Sequence, residues 1–356
     1  MESLAPNMAR SSSQQGRAAA PVRAGIIGCG GWGTALAMVL DRNGHKATVW
    51  GVEPGYVRQM SETRANPRYL PGIRIPDSVR LSPDLADCVA ASDLVVMATP
   101  TLYLRGVCER VAPLLQEDHF VVNVAKGIEE GTLLLASGVI EDVCGAGRRL
   151  AGLYGPSHAQ EVARRLPTTV VATSADHDLA RRAQEAFMDP LFRVYTNTDM
   201  LGVELGAALK NVIAIAAGIC DGLGFGDNAK SALLTRGLAE IRRLGVAMGA
   251  RPETFSGLSG LGDLVTTCIS PYGRNRTVGI RIAKGESLEQ ILRTMDQVAE
   301  GVRTTRSACA LADRHGVSMP ITRAVHAVLF EGVQPLTAVV ELMGRAPRPE
   351  HDEEPV

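Results

Sequence analysis

From position 22 the chain alternates two hydrophobic patterns. Short apolar runs, several rich in β-branched residues, are VRAGIIG (22–28), KATVW (46–50), DLVVMATP (93–100), HFVVNVAKG (119–127), LAGLYG (150–155), TTVVAT (168–173) and LFRVYT (191–196). Gly, Pro or Asp punctuates most of them, which is how strands are bounded. Helical stretches lie between. Strands alternating with helices predict a largely parallel sheet with helices on both faces. The runs cease near Thr196, and from about Asp199 to Leu342 the pattern is helical, with breaks at GLGFGDN, MGARPE, SPYGRNR and GVSMP. The expected organisation is an α/β domain over 22–197 and an all-α domain over 198–345, with disordered tails at 1–21 and 346–356.

One helical stretch carries a puzzle. LGAALKNVIAIAAG (205–218) is small and apolar except for Lys210 and Asn211. A lysine is expensive to bury. Either Lys210 snorkels to water, the usual fate of such a residue, or its burial serves chemistry. A free lysine titrates near ~10.4 and is a poor base at neutrality. Apolar surroundings and a nearby cation would lower that value.

The first strand runs directly into GCGGWG, with Gly28, Gly30 and Gly33 in GxGxxG spacing ahead of a helix. The first glycine permits a tight turn, the second a close approach to pyrophosphate, and the third close helix–strand packing. The helix N-terminus attracts phosphate charge. The motif alone is weak, but strand, helix and second strand all fall where a Rossmann-type dinucleotide domain needs them. Glu53 follows Gly33 by twenty residues, at the end of the second strand. An acid there accepts hydrogen bonds from both ribose hydroxyls of NAD and repels the extra phosphate of NADP; capping the next turn is its other reading.

Composition adds exclusions. The net charge is −1, so there is no electrostatic case for nucleic acid. Seven cysteines without a CxxC pair argue against a disulfide framework or a zinc site and fit a reducing cytosol. They read as small packing residues, with Cys29 and Cys268 nearest the candidate site. No apolar run is read as approaching the ~20 residues of a membrane helix.

Seven stretches then follow in order: GCGGWGTALA, NPRYLPGIRIP (66–76), VAKGIE (124–129), GPSHAQEVARRLPT (155–168), the long segment from Glu204 to Glu240, GLGDLVTTC (260–268) and GRNR (273–276). Together they closely resemble the bacterial NAD(P)-dependent glycerol-3-phosphate dehydrogenases, from about Val22 to Pro349. The resemblance implies a cytoplasmic enzyme that interconverts sn-glycerol 3-phosphate and dihydroxyacetone phosphate and supplies phospholipid synthesis. It also implies a Rossmann domain joined to a helical substrate domain, and a homodimer. The family's cofactor contacts fall on Trp32, Lys126, Ala159, Arg274, Val298 and Glu300, beside Gly28, Gly30, Gly31, Gly33 and Glu53 of the dinucleotide motif. Substrate contacts fall on Lys126, Gly155, Ser157, Lys210, Asp263, Arg274 and Asn275, and the proton acceptor on Lys210.

Residue chemistry agrees with that assignment. Lys126 is a candidate for the second cation near Lys210, and Asp263 can orient the Lys210 ammonium, cap a helix, or do both. Thr267, one turn beyond Asp263, adds a hydroxyl to the same side or simply packs. Arg274 and Asn275 suit a phosphomonoester. Arg276 is left facing solvent or pairing, and His158 is read as structural. GLGFGDN is read as a turn capped by Asp227 or Asn228.

Three departures matter. Gly31 and Gly273 stand where many relatives have Ser, each removing a hydroxyl; at Gly273 a substrate contact must then come from the backbone or be lost. Val52 stands where many have Arg or His, and with Glu53 acidic the expected cofactor is NAD(H) over NADP(H). Two rivals stay open: a related 3-hydroxy-acid dehydrogenase, and an NAD(H)-sensing module without chemistry.

Overall fold

The computed structural model describes residues 21–295, 297–347 and 349–350. The tails expected at 1–21 and 346–356 lie outside the described residues apart from their inner edges. Among the described residues there are ten strands: β1 (Arg23–Ile27), β2 (Lys46–Trp50), β3 (Ala65–Asn66), β4 (Leu70–Arg74), β5 (Arg80–Ser82), β6 (Leu94–Met97), β7 (Phe120–Asn123), β8 (Arg149–Tyr154), β9 (Thr168–Thr173) and β10 (Phe192–Asn197). Eight form one sheet in the order β10-β9-β8-β7-β6-β1-β2-β5, and β3 with β4 forms a separate hairpin. Every pairing in the large sheet is parallel except β8 with β9. All seven apolar runs became strands of this sheet.

The central strands are buried on both faces, which is why they read as unbroken apolar runs. Strand β5 has three residues and only one large apolar side chain, and the hairpin holds Pro71 and Gly72, so neither carries that signal. From β1 the chain order runs one way through β2 and β5 and the other way through β6 and β7. The crevice at the carboxyl ends of β1 and β6 is therefore the switch point where such sheets bind ligands.

The helical half is built around one 23-residue helix, Met200–Gly222, whose residues from Gly202 to Cys220 are all buried. Its small residues allow a close crossing with the helix Arg274–Ala283. A Cβ on Gly218 would lie 2.0 Å from the Arg276 carbonyl oxygen, and one on Gly279 would lie 2.0 Å from that of Ile215. This helix also corrects the expectation about apolar length. It is long and apolar enough to cross a membrane, with a mean hydropathy of 1.6, yet its most apolar stretch is entirely buried inside the protein.

Two capping expectations also give way. The helix Asp227–Ala247 starts after Gly226 with no side-chain cap, so neither Asp227 nor Asn228 caps it; Asp227 instead sits in the first turn, where the helix dipole favours an acid. The helix Asp263–Ile269 follows Gly262, again without a side-chain cap, because the Asp263 carboxylate is engaged elsewhere.

Candidate active site

A cleft of about 820 Å³ runs from the glycine loop to the long buried helix, bordered by Gly30, Glu53, Lys126, Lys210, Asp263 and Arg274 among others. At its sheet end Gly28 adopts a φ of +133°. A Cβ on Gly33 would lie 2.1 Å from the Gly28 carbonyl oxygen, so only glycine lets the helix Gly31–Arg42 pack this close to the turn. Beside Gly30 the space is open. The Trp32 Nε1 is buried without a hydrogen-bond partner among the described residues. An open cradle at a helix N-terminus, with an orphaned donor beside it, fits a dinucleotide pyrophosphate. Ala159 borders the same loop, and Val298 and Glu300 line the cleft opposite. Glu300 Oε1 accepts the Thr101 backbone N–H at 2.8 Å, tying the helical half to the end of β6.

At the far end the lysine question resolves. Lys210 does not snorkel: its side chain is 7% exposed and donates to Asp263 Oδ1 at 2.7 Å and to the Thr267 hydroxyl. Lys126, just past β7, donates to Asp263 Oδ2 at 2.8 Å and to the Gly155 carbonyl at 3.0 Å. One buried carboxylate therefore spans two ammonium groups. Burial lowers the Lys210 pKa to about 8; Asp263 opposes that shift and Lys126 adds to it. Burial raises the Asp263 pKa, but the two lysines outweigh it and hold the carboxyl below its usual range. Thr267 is thus engaged with Lys210 rather than merely packed.

Surrounding residues brace the cluster. Asn211 Nδ2 donates to the Lys126 carbonyl at 3.0 Å. Glu204, on the same helix as Lys210, accepts from Tyr154 at 2.7 Å, from Asn123 at 3.3 Å and from the Ser137 N–H at 3.1 Å. Ser157 donates back to the Gly155 carbonyl at 2.9 Å. His158 lines the cleft, and burial together with Lys210 and Lys126 lowers its pKa to about 4, so its ring is neutral.

Arg274 and Asn275 open a helix at the cleft wall. Arg274 donates to the Val298 carbonyl at 3.0 Å, and Asn275 Oδ1 accepts the Gly301 N–H at 2.9 Å, which turns the Asn275 amide donors away from that bond. Arg274 is exposed to the cleft, yet protein atoms crowd its guanidinium; this desolvation lowers its pKa against a smaller opposite effect of Glu300. Gly273 has a steric reason: a Cβ there would lie 2.9 Å from the Thr267 carbonyl oxygen. Arg276 pairs with Asp221 at 2.6 Å, away from the site. Cys268 is buried as expected, whereas Cys29 is only half-buried and borders the cleft, its thiol pushed up to about 11 mainly by burial.

The Glu53 end of the cleft differs from expectation in its neighbours. Glu53 makes no capping bond; its carboxylate pairs with Arg68 at 2.7 Å. Val52 is 66% exposed. Gly31 also has a packing role, since a Cβ there would lie 2.5 Å from the Tyr69 carbonyl oxygen. Arg68 and Tyr69 sit in NPRYLPGIRIP, a stretch to which sequence reasoning gave no role. An arginine next to a tyrosine in a turn-rich segment after the second strand was the available signal.

Comparison with known proteins agrees with the geometry over both halves. The profile of the NAD-dependent glycerol-3-phosphate dehydrogenase N-terminus matches residues 23–180, and that of the C-terminus matches 199–340. The chain belongs to the glycerol-3-phosphate dehydrogenases. It is 52% identical to glycerol-3-phosphate dehydrogenase [NAD(P)+] 2 of Salinibacter ruber over 328 residues, covering 92% of this chain and 95% of that one. A second relative, glycerol-3-phosphate dehydrogenase [NAD(P)+] of Streptomyces avermitilis, is 47% identical, covering 93% and 98%. The crystal structure of the Coxiella burnetii glycerol-3-phosphate dehydrogenase superposes with a TM-score of 0.88 at 38% identity, covering 91% of this chain and 99% of that one. The chain is thus an NAD(P)-dependent oxidoreductase with a Rossmann-like domain and a helical domain. That assignment removes the 3-hydroxy-acid alternative.

Proposed function

We propose that Lys210 is the general acid–base of the glycerol-3-phosphate dehydrogenase reaction, and that the Lys126–Asp263–Lys210 cluster carries this reading. A nicotinamide dinucleotide bound in the cleft supplies or takes up the hydride. The chain must then move one proton at the C2 oxygen of the substrate. In the oxidising direction neutral Lys210 accepts it; in the reducing direction the Lys210 ammonium polarises the carbonyl and donates it. Asp263 orients both lysines, and Lys126 keeps the Lys210 proton loosely held. Gly155, Ser157 and Thr267 shape the substrate wall, and Arg274 with Asn275 holds the phosphate through a fixed fork of donors. Gly28, Gly30, Gly31, Trp32, Gly33, Ala159, Val298 and Glu300 hold the dinucleotide, with Glu53 at the ribose. A neutral Val52 beside an acidic Glu53 favours NAD(H) over NADP(H). A cytoplasmic homodimer that supplies glycerol 3-phosphate for phospholipid synthesis follows from the family likeness.

The test is oxidation of NADH and of NADPH by dihydroxyacetone phosphate, with Lys210→Ala alongside. Wild type should turn over faster with NADH. The variant should keep its NADH affinity by fluorescence titration and lose about 10²- to 10⁴-fold in kcat, the scale of a general acid. A variant that keeps its rate removes Lys210 from the role. Dinucleotide binding without turnover in wild type would favour a sensing module.

A further inference from the structure

We infer that Arg68 forms a binding site for a ribose 2'-phosphate, which gives this chain its capacity for NADP(H) despite Val52 and Glu53. The inference rests on the dinucleotide reading of the cleft and concerns its ribose end.

Arg68 lies in the turn between β3 and β4, and that hairpin is pinned to the glycine loop. Asn66 Nδ2 donates to the Cys29 carbonyl at 2.9 Å and to the Thr34 hydroxyl at 2.9 Å. Asn66 Oδ1 accepts from the Tyr56 hydroxyl at 2.7 Å and from the Tyr69 N–H at 3.3 Å. Gly31 removes the side chain that would push the Tyr69 carbonyl away. The hairpin thus closes directly over the loop that holds the pyrophosphate.

The guanidinium is positioned as well. It stacks 4.5 Å from the Tyr56 ring centroid and 5.6 Å from that of Tyr69, and the two rings meet edge-on. Such stacking holds a planar cation with little loss of its donors. Only Nη1 is engaged, by Glu53 at 2.7 Å and by the Tyr69 hydroxyl at 3.5 Å. Nε and Nη2 make no hydrogen bond to the described residues. Arg68 therefore offers an open donor edge beside the acid expected to receive the ribose hydroxyls. Glu53 and Tyr69 both line the cleft, so a 2'-phosphate arriving there meets Glu53 as a repelling charge and Arg68 as an attracting one. A phosphate matches the arginine fork in two-point geometry. When the ribose is unsubstituted, Glu53 takes the hydroxyls and Arg68 stays paired with it. One ion pair then serves both cofactors, with its two members exchanging roles.

The experiment is calorimetric titration of wild type, Arg68→Gln and Arg68→Lys with adenosine 2',5'-bisphosphate and with 5'-AMP, followed by kcat/KM ratios for NADPH over NADH. In Arg68→Gln the preference for the bisphosphate over 5'-AMP should fall about tenfold or more, the scale of a lost charge-assisted hydrogen bond. The kinetic ratio should fall in parallel. Arg68→Lys keeps the charge but not the fork and should fall between. Glu53→Gln should raise the bisphosphate preference, and the same change made in the Arg68→Gln background should raise it less, because only the relief of repulsion remains. Equal losses for both probes would reduce Arg68 to a scaffold of the hairpin and overturn the inference, as would no loss for either. Should wild type bind neither probe, the dinucleotide reading fails first, a result distinct from a failure of Arg68 alone.

Discussion

Two ion pairs close the two ends of one cleft at the same separation. Lys210 meets Asp263 at 2.7 Å with side chains 7% and 2% exposed. Arg68 meets Glu53 at 2.7 Å with side chains 37% and 54% exposed. Geometry alone does not separate them; burial does. In the interior two charges cannot be screened, so each sets the protonation of the other, and a second ammonium at Lys126 changes the outcome. At the rim, water and salt dilute the attraction to about 0–1 kcal/mol. On the proposed reading the buried pair tunes a proton and the exposed pair selects a ligand, because its members are easily parted.

The largest effect should come from breaking the buried pair. Asp263→Asn leaves Lys126 and Lys210 facing a neutral amide in a largely buried cluster. Removing one partner of a buried pair costs about 3–5 kcal/mol, whereas Glu53→Gln should cost less than about 1 kcal/mol at the rim. Urea unfolding of both variants checks this contrast. Equal costs would mean that burial does not divide the two ends.

That contrast also explains what could be read in advance. Lys210 stood out because a charge in LGAALKNVIAIAAG is costly, and the cost is visible in the local sequence. Lys126 and Asp263 lie 84 and 53 residues from Lys210 and were placed by family likeness. Their sharing of one carboxylate is a tertiary fact with no local trace. Arg68 was missed for the opposite reason, since an exposed arginine in a turn carries no anomaly until the fold sets it against Glu53. The sheet was legible wherever strands are buried on both faces. Strand β5 and the β3–β4 hairpin were not, because three residues, or a run with Pro71 and Gly72, carry no periodicity.

A smaller effect concerns pH. If Lys210 is the general acid, as proposed, kcat in the reducing direction should decline as pH rises through about 8, and the oxidising direction should gain over the same range. Lys126 contributes to the depression of that value. In Lys126→Ala, with one cation gone, the Lys210 ammonium is held more firmly. The alkaline limb of the reductive profile should then move upward by about one pH unit, the scale of a neighbouring like charge. Full profiles at saturating substrate separate this shift from weaker binding. A limb that stays in place, or moves down, would mean that Lys126 does not depress the Lys210 pKa.

Salt should give the smallest effect and the most selective one. The screening length falls from about 10 Å at ~0.1 M salt to about 3 Å at ~1 M, which acts on charges in water and hardly on charges in a dry interior. The alkaline limb of wild type should therefore move by less than about 0.2 pH unit across that range. The coupling between Arg68→Gln and Glu53→Gln, read as a double-mutant cycle on adenosine 2',5'-bisphosphate binding, should shrink severalfold instead. If the limb moved with salt while the coupling held, the buried and exposed pairs would have changed places. The assignment of proton transfer to one end and ligand choice to the other would have to be reversed.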